Sequence, residues 1–71
     1  MSKVVEGTII KNGKSYGIRL CLENGTVLTV EDVDPNEPAV RVFMQSLIGE
    51  WLDEDQLLYL TEDWLQEIYG L

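Results

Sequence analysis

The fold of this chain is decided by residues 15–30, which read SYGIRLCLENGTVLTV. On either side of Asn24-Gly25, large apolar side chains alternate with small or polar ones, as they do on strands that bury one face. Asn-Gly between two such runs is the strongest short-range signal for a β-hairpin, because both residues tolerate positive φ. The stretch therefore predicts two antiparallel strands joined by a tight turn.

The register of this hairpin follows from matching its apolar faces, since a slip of one residue moves every side chain to the other face. A two-residue loop at Asn24-Gly25 would place the aliphatic side chains of the second strand on the face of Arg19. A three-residue loop, Glu23-Asn24-Gly25, ends with Gly25 in a G1 bulge and keeps the aliphatic side chains together. It pairs Leu22 with Thr26, Leu20 with Leu28, and Ile18 with Val30.

Residues 4–11 predict a further strand, joined to the hairpin by a two-residue loop at Asn12-Gly13. This loop pairs Lys11 with Lys14, Ile9 with Tyr16, Gly7 with Ile18, and Val5 with Leu20. On the opposite face Glu6 would lie across from Arg19, a contact worth about 0.2–1 kcal/mol. Gly7 would leave space for an aromatic side chain from the other layer. Residues 3–30 are thus predicted to form a three-stranded antiparallel meander with residues 15–22 in the centre.

A first helix is predicted over residues 35–50. It follows an acidic, proline-containing linker at residues 31–38, in which Asp34 is the predicted N-cap. Apolar residues then recur at helical spacing, at Val40, Phe43, Met44, Leu47, Ile48 and Trp51. Gly49 marks the end of the pattern. A strand at residues 39–43 is the alternative, since the two valines there are weak helix formers.

A second helix is predicted over residues 53–70. Asp53 opens a capping-box pattern with an acidic first turn, and Gly70 ends the helix. A second capping signal lies within it, so one continuous helix and two short helices with a kink at Leu60–Thr61 both remain open. The predicted fold class is α+β: a single domain, residues 1–71, with a three-stranded antiparallel β-meander followed by two C-terminal helices packed on one sheet face.

The residues that usually carry chemistry are scarce. The chain has no His and one Cys, so it lacks the commonest general base and cannot build a zinc cluster. Asp32-Val-Asp34-Pro-Asn36 resembles the start of a calcium loop, but the sixth position is Glu37 and the twelfth is Phe43. We therefore expect no catalytic, cofactor-binding or metal-binding residues, and we predict that the protein is not an enzyme.

The net charge of −8 is unevenly distributed along the chain. Residues 1–30 carry a net charge of +2 and residues 31–71 a net charge of −10. The acidic half should repel nucleic-acid backbones and anionic membranes, so we expect no direct binding to either. It permits an unidentified basic protein partner, although solubility alone also explains the charge. The candidate interaction surface consists of Asp53, Glu54, Asp55, Glu62, Asp63 and Glu67.

The edges and the outer face of the predicted sheet offer other contacts. Only the lysines Lys3 and Lys11 would hinder pairing at the first edge. A partner could therefore add a strand there, or a homodimer could form through a sheet edge. The outer face is predicted to carry Val4, Thr8, Cys21 and Val27. Three aromatic side chains of the C-terminal half are interpreted as core residues, because large aromatics dominate burial. They are Trp51, Trp64 and Tyr69.

The sequence also predicts a cellular compartment. No apolar run approaches the roughly 18 residues that are needed to span a bilayer. The first ten residues, MSKVVEGTII, do not have the pattern of a signal peptide. Together with the single cysteine, these features predict a protein of the reducing cytoplasm.

Four short motifs occur in order along the chain: Tyr16-Gly17-Ile18, Glu31-Asp32-Val33, Gln56-Leu57 and Glu62-Asp63-Trp64-Leu65. Their order resembles the pattern of a family of small uncharacterised proteins from clostridia and related Firmicutes, a domain of unknown function. The resemblance covers about residues 15–65. It implies a bacterial cytosolic origin and the same strand-then-helix layout, and it implies no activity. Gln56 stands where the family favours His, so a role of that His does not carry over.

The predicted function is a small, acidic, non-catalytic protein-binding or regulatory module of unknown partner. The alternative is an acidic mimic of nucleic acid that inhibits a basic partner protein. The two hypotheses differ in where they need the acidic side chains. A mimic needs them on one exposed face, whereas acids that scatter or cap helices favour the module.

Overall fold

The computed structural model describes residues 2–70 and has an α+β fold, as predicted. The strands are β1 (Ser2–Asn12), β2 (Ser15–Leu22), β3 (Val27–Asp34) and β4 (Trp51–Leu52), and the helices are α1 (Glu37–Leu47) and α2 (Glu54–Tyr69). The strands form one antiparallel sheet in the order β3-β2-β1-β4. The prediction of three strands was therefore short by one, since β4 follows the first helix and pairs with the start of β1.

The hairpin of β2 and β3 has the predicted register. Leu20 lies opposite Leu28, and Ile18 lies opposite Val30. The Leu22 amide donates to the Thr26 carbonyl oxygen at 2.8 Å, and Gly25 has a φ of +89°. The apolar faces of both strands thus coincide, because the extra loop residue restores the alternation across the turn.

The hairpin of β1 and β2 has a register two residues away from the predicted one. Its turn is formed by Gly13 and Lys14, and only the glycine has a positive φ, +62°. This is the pattern of a type II′ turn, which requires glycine at its first central position. Thr8, rather than Glu6, lies opposite Arg19, so the predicted Glu6–Arg19 contact is wrong. The inner face is still continuous, because a slip of two residues leaves every side chain on its own face.

A β-bulge at Val5 changes which residue of β1 faces the core. The register shifts between Val4 and Glu6, so Val5 has no partner on β2. Val4 is fully buried, whereas Val5 is 51% exposed. The predictions that Val5 packs against Leu20 and that Val4 lies on the outer face are therefore wrong. A bulge inserts one extra residue into a strand. The residues of β1 before Val5 therefore alternate between the two faces of the sheet in the opposite sense to the residues after it.

Strand β4 adds a fourth strand beside the first residues of β1. Trp51 pairs with Lys3, and Leu52 pairs with Ser2. The Val4 amide donates to the Glu50 carbonyl oxygen at 2.8 Å, and the Gly49 amide donates to the Val4 carbonyl oxygen at 2.8 Å. Helix α1 therefore ends at Leu47 instead of residue 50, because the chain turns back to the sheet at Gly49, whose φ is +91°.

Helix α1 begins two residues later than predicted. Its N-cap is Asn36, whose Oδ1 accepts a hydrogen bond from the Ala39 amide at 3.2 Å. The predicted cap, Asp34, is instead the last residue of β3 and is buried. The alternative of a strand at residues 39–43 is wrong, since Val40 and Phe43 lie on the buried face of this helix.

Helix α2 is continuous from Glu54 to Tyr69. Asp53 caps it as predicted, with Oδ1 accepting from the Gln56 amide at 2.8 Å, and Gly70 ends it with a φ of +69°. Thr61 does not cap a second helix, because its hydroxyl donates to the Leu57 carbonyl oxygen at 2.9 Å within the helix.

The core lies between the inner face of the sheet and the two helices. Its buried apolar residues are Val4, Ile18, Leu20, Leu22, Leu28, Val33, Val40, Phe43, Met44, Leu47, Leu52 and Leu57. The space above Gly7 is filled by Met44 of α1 rather than by an aromatic side chain. A Cβ at Gly7 would lie 2.9 Å from the Met44 Cγ and 3.2 Å from a methyl carbon of Leu20. The sheet and α1 are therefore in contact where Gly7 has no side chain.

Gly7→Ala should destabilise the fold by about 1–3 kcal/mol, because the added methyl group overpacks the contact with Met44. Urea denaturation monitored by circular dichroism measures the change. Thr8→Ala is the matched control, since Thr8 is exposed on the next position of the same strand, and it should cost less than about 1 kcal/mol. Equal denaturation midpoints for wild type and Gly7→Ala would contradict this packing.

Candidate functional site

A groove of about 410 Å³ lies between the end of α1, β4 and the middle of α2. Its apolar lining is formed by Phe43, Leu47, Trp51, Leu52, Leu60 and Trp64. Its polar lining is formed by Ser46, Glu50, Gln56, Asp63 and Glu67. This volume falls in the range of about 300–1,000 Å³ in which proteins bind ligands. The groove is lined by nearly as many polar as apolar residues. We call it the α1–α2 groove.

Helical spacing explains how each wall of the α1–α2 groove is built. Phe43 and Leu47 lie one turn apart on α1, and the lining residues of α2 recur at intervals of three and four between Gln56 and Glu67. The rings of Phe43 and Trp64 are stacked, with centroids 4.8 Å apart and planes 23° from parallel. This aromatic contact joins the two helices at the groove.

Trp51 is 56% exposed at the mouth of the groove, so its assignment to the core was wrong. The reason is its position on β4, where successive side chains point to opposite faces. Leu52 therefore takes the buried position, at 2% exposure. Tyr69 is also exposed, and Trp64 is half-buried against the core. An exposed tryptophan beside an apolar groove is typical of a binding surface, since tryptophan is a common anchor of interfaces.

The charged residues that line the α1–α2 groove are all acidic. They are Glu50, Asp63 and Glu67. Asp63 and Glu67 are one turn apart on α2, and such like-charged pairs destabilise a helix by about 0.2–0.5 kcal/mol. Arg41, the one basic residue after residue 30, pairs with Glu37 at 2.7 Å on α1. The groove therefore combines apolar walls with three carboxylates, and Lys3, on β1 opposite Trp51, is a basic residue beside the groove but outside its lining.

Gln56 presents an unusual polar atom at the α1–α2 groove. Its side-chain Oε1 is buried, and no group among residues 2–70 donates a hydrogen bond to it. In a capping box this oxygen would accept a hydrogen bond from the Asp53 backbone amide, but the structure shows only the reciprocal bond, from the Gln56 amide to Asp53 Oδ1. A buried acceptor without a donor costs about 1–3 kcal/mol. Such an atom in a binding groove favours a ligand that brings a hydrogen-bond donor.

The six acidic residues of the predicted interaction surface do not share one face. Asp53 caps α2, and Glu54 and Asp55 lie in its first turn, where carboxylates favour the helix dipole. Asp63 and Glu67 line the α1–α2 groove. Glu62 is exposed but lies about 100° around the helix from Asp63. The structure thus brings two of the six to the groove, together with Glu50.

Several residues of the groove were missed by sequence reasoning. Glu50 and Trp51 were assigned to a helix and to the core, and Gln56 only to a helix start. One signal was present in the sequence, because Gln56, Leu60, Asp63 and Glu67 form a mixed polar and apolar stripe beside Trp64. A stripe of that composition is neither a core face nor a fully solvated face.

A second polar cluster joins the end of α2 to the end of β3. The Tyr69 hydroxyl donates to Asp34 Oδ1, and the Asn36 amide donates to Asp34 Oδ2 at 2.8 Å. The hydrogen bond to the Asp34 carboxylate raises the pKa of Tyr69 above its usual value of 10.0, with smaller contributions from desolvation and from the charge of Asp34. Asp32 accepts a hydrogen bond from the Ser15 hydroxyl. The acids that resemble a calcium loop therefore have structural partners.

A raised pKa of Tyr69 means that the phenol stabilises the fold fully below pH 10 and that this contribution is lost as the pH rises through the raised value. Asp34→Asn should lower the pH at which one phenol ionises, measured by ultraviolet absorbance in an alkaline titration. Asp32→Asn is the control, since Asp32 bonds to Ser15. An unchanged titration in Asp34→Asn would show that Tyr69 does not donate to Asp34.

Comparison of the chain with protein-family models, with curated proteins and with solved structures finds no match. The resemblance to the clostridial family therefore stays a prediction. Within residues 2–70, no helix has the length and apolar character that crossing a membrane requires. Across the same residues, no three acidic or thiol side chains form a group that could hold a metal ion.

Proposed function

We propose that the protein is a non-catalytic protein-binding or regulatory module and that the α1–α2 groove is its binding site. The exposure of Trp51 carries this proposal, since a tryptophan that is 56% exposed loses most of the stabilisation that burial would give it. A partner that covers Trp51 and the apolar walls beside it would recover that stabilisation. A cytoplasmic location remains part of the proposal.

The chemistry of the groove supports binding rather than catalysis. The hydroxyl that lines it, on Ser46, donates a hydrogen bond to the Phe43 carbonyl oxygen of the same helix at 2.6 Å. Its carboxylates have no neighbouring imidazole or thiol to form a nucleophile and base pair, because the chain has no His and Cys21 lies on β2. The remaining groups of the groove provide apolar contact, charge and hydrogen bonding.

The distribution of the acidic residues favours this module over a mimic of nucleic acid. Asp53 caps a helix, Asp34 bonds to Tyr69, and Glu37 pairs with Arg41. A mimic needs its carboxylates free on one face, whereas these three are engaged at separate places in the fold and only Asp63 and Glu67 of the predicted surface lie at the groove.

A homodimer through a sheet edge remains a prediction, and β4 reduces the edge on which it would form. Residues 49–52 bond to Ser2–Val4, so the outer edge of β1 is open from Val5 onward among the described residues. The α1–α2 groove is lined by residues of α1, β4 and α2 and the loop between α1 and β4, and it does not need that edge.

Peptides selected from a displayed library of random dodecapeptides should bind the wild-type protein at the groove. Trp51→Ala should lower their affinity at least about tenfold, since truncation of a tryptophan anchor costs about 2 kcal/mol or more. Tryptophan fluorescence measures binding directly, because both tryptophans of the chain line the groove. For the Trp51→Ala protein, Trp64 supplies the signal.

Val27→Ala is the matched control for this selection. Val27 is 52% exposed and lies at the start of β3, on the outer face of the sheet. Its truncation should therefore leave peptide affinity unchanged. Thermal melting of each variant shows whether it is folded. The proposal fails if the library yields no binding peptide, or if the selected peptides bind the folded Trp51→Ala protein as tightly as the wild type.

A further inference from the structure

We infer that the α1–α2 groove receives an arginine side chain from a basic, amphipathic segment of a partner protein. This inference rests on the proposed function and adds the chemistry of the partner. Three features of the groove support it together: a buried acceptor without a donor, an exposed indole, and a lining whose charged residues are all acidic.

The buried acceptor is the Oε1 atom of Gln56. Gln56 lines the groove together with the apolar residues Leu60 and Trp64. A ligand must therefore bring an N–H or O–H group into the groove if this oxygen is to be paired. A purely apolar segment would cover the oxygen and leave it unpaired.

The exposed indole is that of Trp51, and it selects a flat cation. A guanidinium group stacks on an aromatic face, carries several N–H donors and is more weakly hydrated than an ammonium group. The guanidinium group of arginine thus combines the flat face that an indole stacks on with the N–H donors that an unpaired acceptor needs. Lysine carries a compact and strongly hydrated ammonium group, which is less suited to an apolar groove.

The carboxylates are Glu50, Asp63 and Glu67, and no basic side chain lines the groove with them. A cation that enters therefore meets three carboxylates and no basic side chain among the lining residues. Hydrogen bonds between guanidinium and carboxylate groups are among the stronger ones in proteins. The surrounding apolar walls require that the segment also carries aliphatic or aromatic side chains.

The test uses the peptides selected against the groove and replaces each arginine in turn by citrulline, which has nearly the same shape and no charge. At one arginine position, citrulline should weaken binding at least about tenfold, and lysine should also weaken it. Affinity should fall as salt is added, since screening weakens the attraction of the exposed charges. Fluorescence titration measures each dissociation constant.

Gln56→Leu is the matching change in the protein. It removes the unpaired oxygen at nearly constant size, so the variant should melt at or above the wild-type temperature while binding the arginine peptide at least about tenfold more weakly. Glu62→Gln is the control for charge, because Glu62 is exposed outside the groove lining, and it should leave binding nearly unchanged.

Groove-binding peptides that carry no arginine, or that bind equally well as citrulline peptides, would overturn this inference and leave the proposed function standing. Unchanged binding to Gln56→Leu would overturn it as well. Sedimentation could instead show that the wild type self-associates and that Arg19→Ala abolishes this self-association. That result would overturn the inference of a partner segment, because the arginine in the groove would then come from a second copy of this chain. Failure to select any groove-dependent peptide would overturn both proposals.

Discussion

The structure depends on the extra residue that β1 carries at Val5. Because of this bulge, the side chain of Val4 faces the core. The buried and exposed positions of the first residues of β1 are therefore out of step with those in the rest of the strand. The segment Ser2–Val4 then bonds on both sides. The Glu23 amide donates to the Lys3 carbonyl oxygen at 2.8 Å on one side, and residues 49–52 pair with it on the other.

This short segment fixes the path of the chain from α1 to α2. After α1 has covered the inner face of the sheet, the chain must return to the edge of β1 before α2 can begin, and Gly49 makes that turn. Leu52 enters the core and Trp51 points the other way. The α1–α2 groove is the space that this return leaves between the two helices. Its shape therefore follows from backbone pairing rather than from the side chains that line it.

Face matching was sufficient to predict the β2–β3 hairpin, because only one register placed all its aliphatic residues together. It was insufficient for β1 and β2, since a shift of two residues preserves every face and leaves the choice to turn chemistry. The preference of Gly13 for the first central position of a type II′ turn decided that choice. Asp53 and Gly70 were predicted correctly as the ends of α2, because capping depends on local sequence.

The candidate site was less accessible to sequence reasoning. A strand of two residues has no period, and Trp51 also continues the helical spacing of Met44 and Leu47. Nothing local distinguishes Asp63, which lines the groove, from Glu62, which does not. The groove exists only once α1, β4 and α2 are placed together, and the acids acquire different roles from that placement.

The central claim is that partners bind at the α1–α2 groove, and NMR spectroscopy of the N–H groups tests it most directly. On titration with a groove-selected arginine peptide, the account predicts that the indole N–H resonances of Trp51 and Trp64 shift together with the side-chain amide of Gln56. The backbone amide resonances of residues 6–12, on the open edge of β1, should not shift. Shifts confined to that edge, with both indole resonances unchanged, would contradict the account.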